Sequence, residues 1–448
     1  MVIMRKPLAF ILALILLAFC GVAAAEQETR KIETAADADE WVSVFLGEHP
    51  EELEGVWAMT PQMEAAAVRM GGMCGMAKSL AQLGTPEKIS PAYEGKVQGY
   101  TAFYIPCVFS AMSVDLILIV QEGMIAGLST GAYSGGRKEE AETGAFDSIE
   151  LSLQVPSLGE LPGILTVPKG EGPFPVAVLV HGSGSSDKDE TVGNLKPFRD
   201  IAEGLAEKGV AVYRYDKRTY VYGMEMMTDR RITLMDESIE DAVNAVQMLS
   251  GQEKIDSGRI FVIGHSLGGN AIPAIARELE KAEAKACGFI MMAASPRPLD
   301  VLVREQYDFL YSLMPEATEE QLAEKDAVFA DLDKLKNPDS LTDDDTVMGV
   351  YLPYWKWLAA YDIIQAADEI TQPVLLLQGE EDYQVTMEDF RIWKEAFSEK
   401  ENWKMISYPG LTHPFTAGMK TEGSAAYTKD EKVDSRVIDD IAAFINRE

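Results

Sequence analysis

The sequence predicts an α/β protein: a mostly parallel sheet covered by helices and carrying a helical cap insert, behind a small α+β unit. Three observations lead there. From residue 149 onward, apolar strand-like runs alternate with amphipathic helical stretches. Runs such as VAVLVHG, RIFVIGH and PVLLLQG are apolar almost without interruption, as strands buried on both faces must be. The alternation breaks once, over about residues 297–367, where acidic, aromatic-containing sequence reads as helical with no strand. An insertion of that length with its own structure predicts a cap or lid rather than a loop.

The elements follow in order. The chain opens MVIMRKPLAFILALILLAFCGVAAAEQ. Arg5 and Lys6, the apolar run from Leu8 to Phe19, and Ala23, Ala24 and Ala25 have the layout of a secretory signal peptide over residues 1–25. The run is short for a spanning helix. Leu17, Ala18, Phe19 and Cys20 loosely match a bacterial lipoprotein box, with Phe19 where a small residue is usual, so a lipid anchor at Cys20 stays open. No later stretch is apolar and long enough to span a bilayer. The mature protein is therefore expected to be secreted or extracytoplasmic, without a membrane span.

Residues 26–131 read as a small α+β domain. Helical patterns at residues 36–46 and 63–83 precede strand-like runs VQGYTAFYIPCVF, MSVDLILIVQ and MIAGLS. A polar, glycine-rich stretch marks a linker over residues 132–147, and residues 148–448 form the larger α/β domain. Its strands are expected at IELSLQV, LPGILTV, VAVLVHG, VAVYRYD, RIFVIGH, GFIMMAA, PVLLLQG and WKMISYP. Its helices are expected near residues 195–208, 235–249, 267–281 and 387–397. The chain has four cysteines. Beyond the signal segment, Cys74, Cys107 and Cys287 allow one disulfide, for which Cys74 and Cys107 are the natural candidates. Cys287 reads as a buried small hydrophobe.

At 448 residues and 47% hydrophobic content the chain can bury large cores, and its net charge of −32 argues against nucleic acid and anionic membranes as partners. Chemistry is suggested by VIGHSLGGN, where Ser266 occupies a G-x-S-x-G pattern with Gly264 and Gly268 at the flanks. GLSTG, centred on Ser129, fits the same pattern. Ser266 is followed at once by an apolar helix, in an unbroken strand–turn–helix run; Ser129 is not, and reads as a turn residue before the linker. A serine needs a base to take its proton. Of the four histidines, His49 lies in a GEHP turn, His181 lies upstream of Ser266, and His265 adjoins it on a turn that points neighbouring side chains apart. His413, in YPGLTHPF after the last strand, is the histidine downstream of Ser266 and gives the serine–acid–histidine chain order found with a G-x-S-x-G serine on such a turn. The acid should lie between them at a strand end, and QGEEDYQV offers Glu380, Glu381 and Asp382. Asp382 is selected as the residue that would hold the imidazole in one tautomer. For the oxyanion, the N–H of Leu267 and that of Ser183 in HGSG are nominated, with Gly182 and Gly184 letting the loop approach a ligand. RYDKR (Arg214 to Arg218) reads as a salt-bridged loop near the pocket mouth. Tyr351, Tyr354 and Trp355, with Trp357 and Tyr361, could wall a substrate pocket or pack the insert. No metal motif and no cofactor signature is present.

HGSG, RYDKR, GHSLGG, ASPRPLDVLVREQ and LLLQGEEDYQV with YPGLTH together resemble the α/β-hydrolase serine esterases of the EstD type, near the cinnamoyl-esterase branch. The resemblance covers about residue 149 to the C-terminus. It implies an α/β-hydrolase fold with a helical cap and carboxylesterase activity on small-molecule esters, through Ser266, Asp382 and His413. The segment ahead of it is similar to a small domain of unknown function, of cystatin-like or nuclear-transport-factor-like shape. Dienelactone hydrolases use cysteine where this chain has Ser266, which counts against that activity. Three functions are weighed: a secreted carboxylesterase for short, medium or aryl esters; a peptidase or acyltransferase on the same residues; and a non-catalytic binding protein that works through its N-terminal domain.

Overall fold

The computed structural model describes residues 29–80, 83–97, 100–110, 113–132, 144–156, 158–314 and 317–447. The expected signal segment, Cys20 and most of the expected linker lie outside them. No described helix is long and apolar enough to cross a membrane. The described chain divides into two compact units.

In the N-terminal unit, helices Ala35–Phe45, Pro61–Met70 and Gly72–Ser79 precede a five-stranded antiparallel sheet built on the strands Tyr100–Phe109, Ser113–Gln121 and Met124–Ala132. Trp41, Phe45, Phe103 and Leu116 lie in its core. Three expectations are corrected here. The single helix expected over residues 63–83 is broken, because Gly71 and Gly72 take φ of +87° and +77°, a left-handed bend that a continuing helix cannot contain. Ser129 is not a turn residue: it pairs with Ile117 inside the last strand, and an extended backbone cannot present it as an elbow does. Cys74 and Cys107 are unpaired. Cys107 is fully buried in the sheet core, whereas the Cys74 thiol donates to the Glu51 carboxylate at 3.1 Å. Cys287 is only half-buried.

The second unit is organised on an eight-stranded sheet. We number its strands β1 (Phe146–Glu150), β2 (Gly163–Pro168), β3 (Phe174–Val180), β4 (Ala211–Tyr215), β5 (Ile255–His265), β6 (Gly288–Met292), β7 (Val374–Gly379) and β8 (Trp403–Tyr408). Their spatial order is β8-β7-β6-β5-β3-β4-β2-β1, antiparallel at β4–β2 and β2–β1 and parallel elsewhere. The main helices are α1 (Pro197–Ala206), α2 (Glu240–Leu249), α3 (Leu267–Lys281), α4 (Leu299–Ser312), α5 (Glu319–Asp333), α6 (Leu352–Ala360), α7 (Ile363–Asp368), α8 (Met387–Phe397) and α9 (Ser435–Ile445).

The period of two along β3 explains the two cores. Val176, Val178 and Val180 face one cluster with α2 and α3, while Ala177 and Leu179 face the other with α1 and α9. A strand with both faces buried has no polar side to show, which is why its sequence does not alternate. Helices α4 to α7 make up the insert between β6 and β7. The insert does contain strand, against expectation: Thr346–Val347 pairs with Val350–Tyr351 through a turn in which Met348 and Gly349 both have positive φ. Two-residue strands are too short to leave a periodic signal.

Candidate active site

Strand β5 ends at His265 and α3 begins at Leu267, so Ser266 alone makes the turn, at φ 53° and ψ −119°. That conformation is rare for a residue with a side chain and costs on the order of 1–3 kcal/mol. The flanking glycines explain how it is tolerated. A Cβ on Gly264 would stand 2.2 Å from the Gly268 oxygen, and one on Gly268 would stand 2.2 Å from the Val180 oxygen. Strand and helix therefore cross at a distance only glycine permits. The Ser266 N–H donates to Met292 O at 2.8 Å, which ties the turn to β6.

The loops after β7 and β8 bring His413 and Asp382 together, His413 Nδ1 lying 2.6 Å from Asp382 Oδ2. Both residues are buried. The other carboxylate oxygen accepts the N–H groups of Gln384 at 2.7 Å and Val385 at 3.0 Å, and Gln378 Nε2 donates to Oδ2 at 3.3 Å. The neighbouring acids are engaged elsewhere. Glu380 accepts from the Ser407 hydroxyl at 2.8 Å, and Glu381 from the Lys420 N–H at 3.1 Å. With Nδ1–H donating to the Asp382 carboxylate, the imidazole has Nε2 as its acceptor nitrogen. The Ser266 hydroxyl makes no hydrogen bond among the described residues. Contacts of this kind often tighten only when substrate is bound.

His265 carries a contact that sequence reading did not find. Its Nε2 donates to the carbonyl of His413 at 3.1 Å, and its ring lies 4.7 Å from the His413 ring. On its other side Nδ1 comes within 2.9 Å of Glu190 Oε2, a charge contact without the angles of a hydrogen bond. Glu190 Oε1 meanwhile accepts the Gly182 N–H at 2.7 Å. Burial alone would depress the His265 pKa, but the Glu190 carboxylate outweighs it and raises the imidazole above its ordinary value. Burial likewise works to raise Glu190, and His265 outweighs it and lowers the carboxyl. The two shifts agree in direction, each favouring the charged form, for a pair that joins the end of β5, the loop carrying His413 and the HGSG loop. Nothing periodic connects Glu190 to these positions in the sequence. The pairing arises only when three loops converge.

His181 behaves oppositely. Burial pushes its imidazole down to about 4, against the pull of Glu190, and its Nε2 lies 3.0 Å from Asp187 O. It should remain neutral in the native state while the unfolded chain takes up a proton near pH 6.5. Native stability should therefore fall as pH drops from about 6.5 to about 4, by roughly 3 kcal/mol from this group. The His265–Glu190 pair adds stability that is lost as pH rises from the ordinary imidazole value of 6.5 through the raised His265 pKa, and as pH falls from the ordinary carboxyl value of 4.5 through the lowered Glu190 pKa. With four histidines in the chain, imidazole NMR titration checks this directly. One resonance is expected to stay neutral until about pH 4, and a His181 signal titrating near 6.5 would contradict it.

The HGSG loop follows β3. A Cβ on Gly182 would lie 3.1 Å from that of Ser266, so the peptide carrying the Ser183 N–H rests against the elbow. Gly184 has φ +89°. Leu267 opens a helix of 15 residues, whose first-turn N–H groups have no intrahelical partner and whose dipole favours negative charge. RYDKR is salt-bridged as expected, and it is buried. Arg214, Asp216, Lys217 and Arg218 are all buried. Arg214 pairs with Asp189 at 2.9 Å and Arg218 with Asp241 at 2.6 Å, while Lys217 pairs with Glu237. The aromatics expected to wall a pocket are mostly committed to packing. Trp355 is buried with Leu332 and Val347 inside the insert, its Nε1 donating to Val347 O at 3.1 Å. Tyr354 is buried and donates its hydroxyl to Glu237 at 2.5 Å. Tyr351 is half-buried in the small hairpin. The Tyr361 hydroxyl inserts within α3, donating to the Asn270 carbonyl and accepting the Ala274 N–H at 3.1 Å each.

The hydrolase family described as Serine aminopeptidase, S33 matches residues 175–417. Esterase EstD of Thermotoga maritima is 38% identical over 331 residues, which cover 74% of this chain and 76% of that protein. Among solved structures, Est1E of Butyrivibrio proteoclasticus aligns at 18% identity and a TM-score of 0.41, over 65% of this chain and 99% of its own. An esterase of Pyrococcus furiosus aligns at 17% identity and a TM-score of 0.43, over 68% of this chain and 92% of its own.

Proposed function

The chain belongs to that hydrolase family, with an α/β-hydrolase fold, and from this premise we propose that it is a serine carboxylesterase whose nucleophile is Ser266. The observation that carries the reading is the 2.6 Å contact between His413 and Asp382 on loops that converge behind the strained Ser266 turn. Ser266 Oγ attacks the ester carbonyl carbon as its proton passes to His413 Nε2. Asp382 holds the resulting imidazolium. The carbonyl oxygen takes the charge and is met by the N–H groups of Leu267 and Ser183, a contribution of about 3 kcal/mol for each donor. Collapse breaks the bond to the alkoxy oxygen, which leaves as alcohol with the proton from His413. Water then repeats the sequence on the acyl-serine and releases the acid. The relative's name, Esterase EstD, supports the ester as substrate, and the secretory layout of residues 1–25 supports action outside the cytoplasm.

The family description favours a second reading, amide hydrolysis at a peptide N-terminus. Steady-state rates on p-nitrophenyl esters of graded acyl length, beside amino-acid p-nitroanilides, separate the two. Ester turnover that exceeds anilide turnover and depends on acyl length is expected. Faster turnover of the anilides would replace this reading with the second.

A further inference from the structure

Lys217 has no part in the chemistry above, yet it is buried to 2% exposure directly behind the loop that does. Its Nζ donates to Gly182 O at 2.7 Å, to Gly184 O at 3.0 Å and to the Glu237 carboxylate, so all three of its donors are used. Glu237 sits in the helical turn ahead of α2, and its other oxygen receives the hydroxyl of Tyr354 from α6 of the insert, at 2.5 Å. The order of contacts is insert helix, Tyr354, Glu237, Lys217, HGSG loop.

The geometry of a peptide gives this chain of contacts its consequence. Across a planar trans peptide, the carbonyl of one residue and the N–H of the next point in opposite directions. Lys217 draws the Gly182 carbonyl inward, and the N–H on the far side of that same peptide is the one belonging to Ser183. The Gly182 N–H cannot substitute, because Glu190 already accepts it. Gly182 and Gly184 have no side chain to hold their loop; on its exposed side Gly184 O also accepts from the Thr219 hydroxyl at 3.2 Å, but Gly182 O has Lys217 as its donor. Resting on the esterase reading above, we propose that Lys217 is a positioning residue that aims the Ser183 N–H at the oxyanion. We further propose that Tyr354, through Glu237, makes this aim depend on docking of the cap insert.

Tyr354 is suited to the role. Burial, reinforced by the Glu237 carboxylate, raises its phenol well above the usual value and keeps it a donor. The substitution Tyr354→Phe removes one hydroxyl and leaves the ring packed. The test compares wild type, Lys217→Met and Tyr354→Phe, each normalised to the fraction of molecules labelled by a fluorophosphonate. The readouts are kcat and KM on p-nitrophenyl butyrate and the affinity of an alkyl trifluoromethyl ketone. That ketone adds Ser266 Oγ at its carbonyl carbon, sends the serine proton to His413 and leaves the charge on oxygen, so its affinity reports the oxyanion contact.

Lys217→Met should lower kcat per labelled site about 10²-fold and weaken the ketone in parallel, with KM little changed. Tyr354→Phe should lower both by about five-fold. A role in stability alone would reduce the labelled fraction and leave kcat per labelled site intact. If Lys217→Met does not fold, Tyr354→Phe and Glu237→Gln carry the comparison. Full kcat and full ketone affinity in Tyr354→Phe overturn the link to the insert, and the same result in Lys217→Met or Glu237→Gln overturns the whole proposal. A wild type that turns over no ester removes the esterase premise and the proposal with it, a failure visible before any variant is made.

Discussion

Ser266→Ala is expected to lower kcat for ester hydrolysis on the order of 10⁶-fold while leaving the fold intact. The methyl group keeps the Cβ that the turn already accommodates, so the strained backbone and the glycine contacts at Gly264 and Gly268 should persist. What is lost is the hydroxyl proposed to form the acyl intermediate. Residual rate above water would come from the donors of Leu267 and Ser183 and from binding, worth about 10³–10⁴-fold in comparable serine hydrolases. Ser129→Ala is the internal control. Ser129 fits the same five-residue pattern but lies in strand pairing with Ile117, so its loss should leave turnover unchanged. Fluorophosphonate labelling followed by peptide mapping reads the nucleophile without reference to substrate. Label on the Ser129 peptide, or full turnover in Ser266→Ala, would falsify the assignment.

Why the two serines could be told apart in sequence, while other features could not, has a physical basis. The elbow is local: strand, glycine-flanked turn and helix lie within one continuous run, and each constrains the next through backbone sterics that a sequence displays. The inner strands of the sheet, such as β3 and β7, were legible for a related reason, since burial on both faces demands apolar runs; β1 is mostly exposed, and the run IELSLQV falls partly in a separate hairpin strand at Leu153–Val155. Serine, acid and histidine could be ordered along the chain because each follows a strand. The relay from Lys217 through Glu237 to Tyr354 joins residues 137 positions apart at its ends, by contacts that no periodicity encodes. The same holds for His265 with Glu190. RYDKR reads in sequence as a salt-bridged loop, but which acids pair with it, Asp189, Glu237 and Asp241, and how deeply it is buried come only from the fold. The break at Gly71 and Gly72 was visible as two adjacent glycines, but a helical period running on past them masked the left-handed conformation both adopt. Cys74 and Cys107 show the opposite failure. Proximity in sequence suggested a bond, whereas one thiol is buried in the sheet and the other meets a carboxylate.

Asp382→Asn carries the second large effect, an expected loss of about 10⁴-fold in kcat. Three adjacent acids compete for the role in sequence, and their contacts separate them. Asparagine preserves the size and shape of the side chain but has one acceptor oxygen instead of two. The N–H groups of Gln384 and Val385 both point at Asp382 Oδ1, so the amide oxygen should stay with them. The amide NH₂ then faces His413 at the position now held by Oδ2, 2.6 Å from Nδ1. Two donors cannot share that contact. The imidazole must adopt the other tautomer, with its proton on Nε2, and in that form it cannot accept a proton from Ser266. The variant should therefore fold, bind ester with little change in KM, and fail in the chemical step. Glu380→Gln and Glu381→Gln should keep kcat near wild type, because those carboxylates meet Ser407 and the Lys420 N–H. Measuring kcat for the three variants side by side decides the point. A collapse in Glu380→Gln or Glu381→Gln, with Asp382→Asn still active, would move the acid to a neighbour and require the loop after β7 to rearrange when substrate binds.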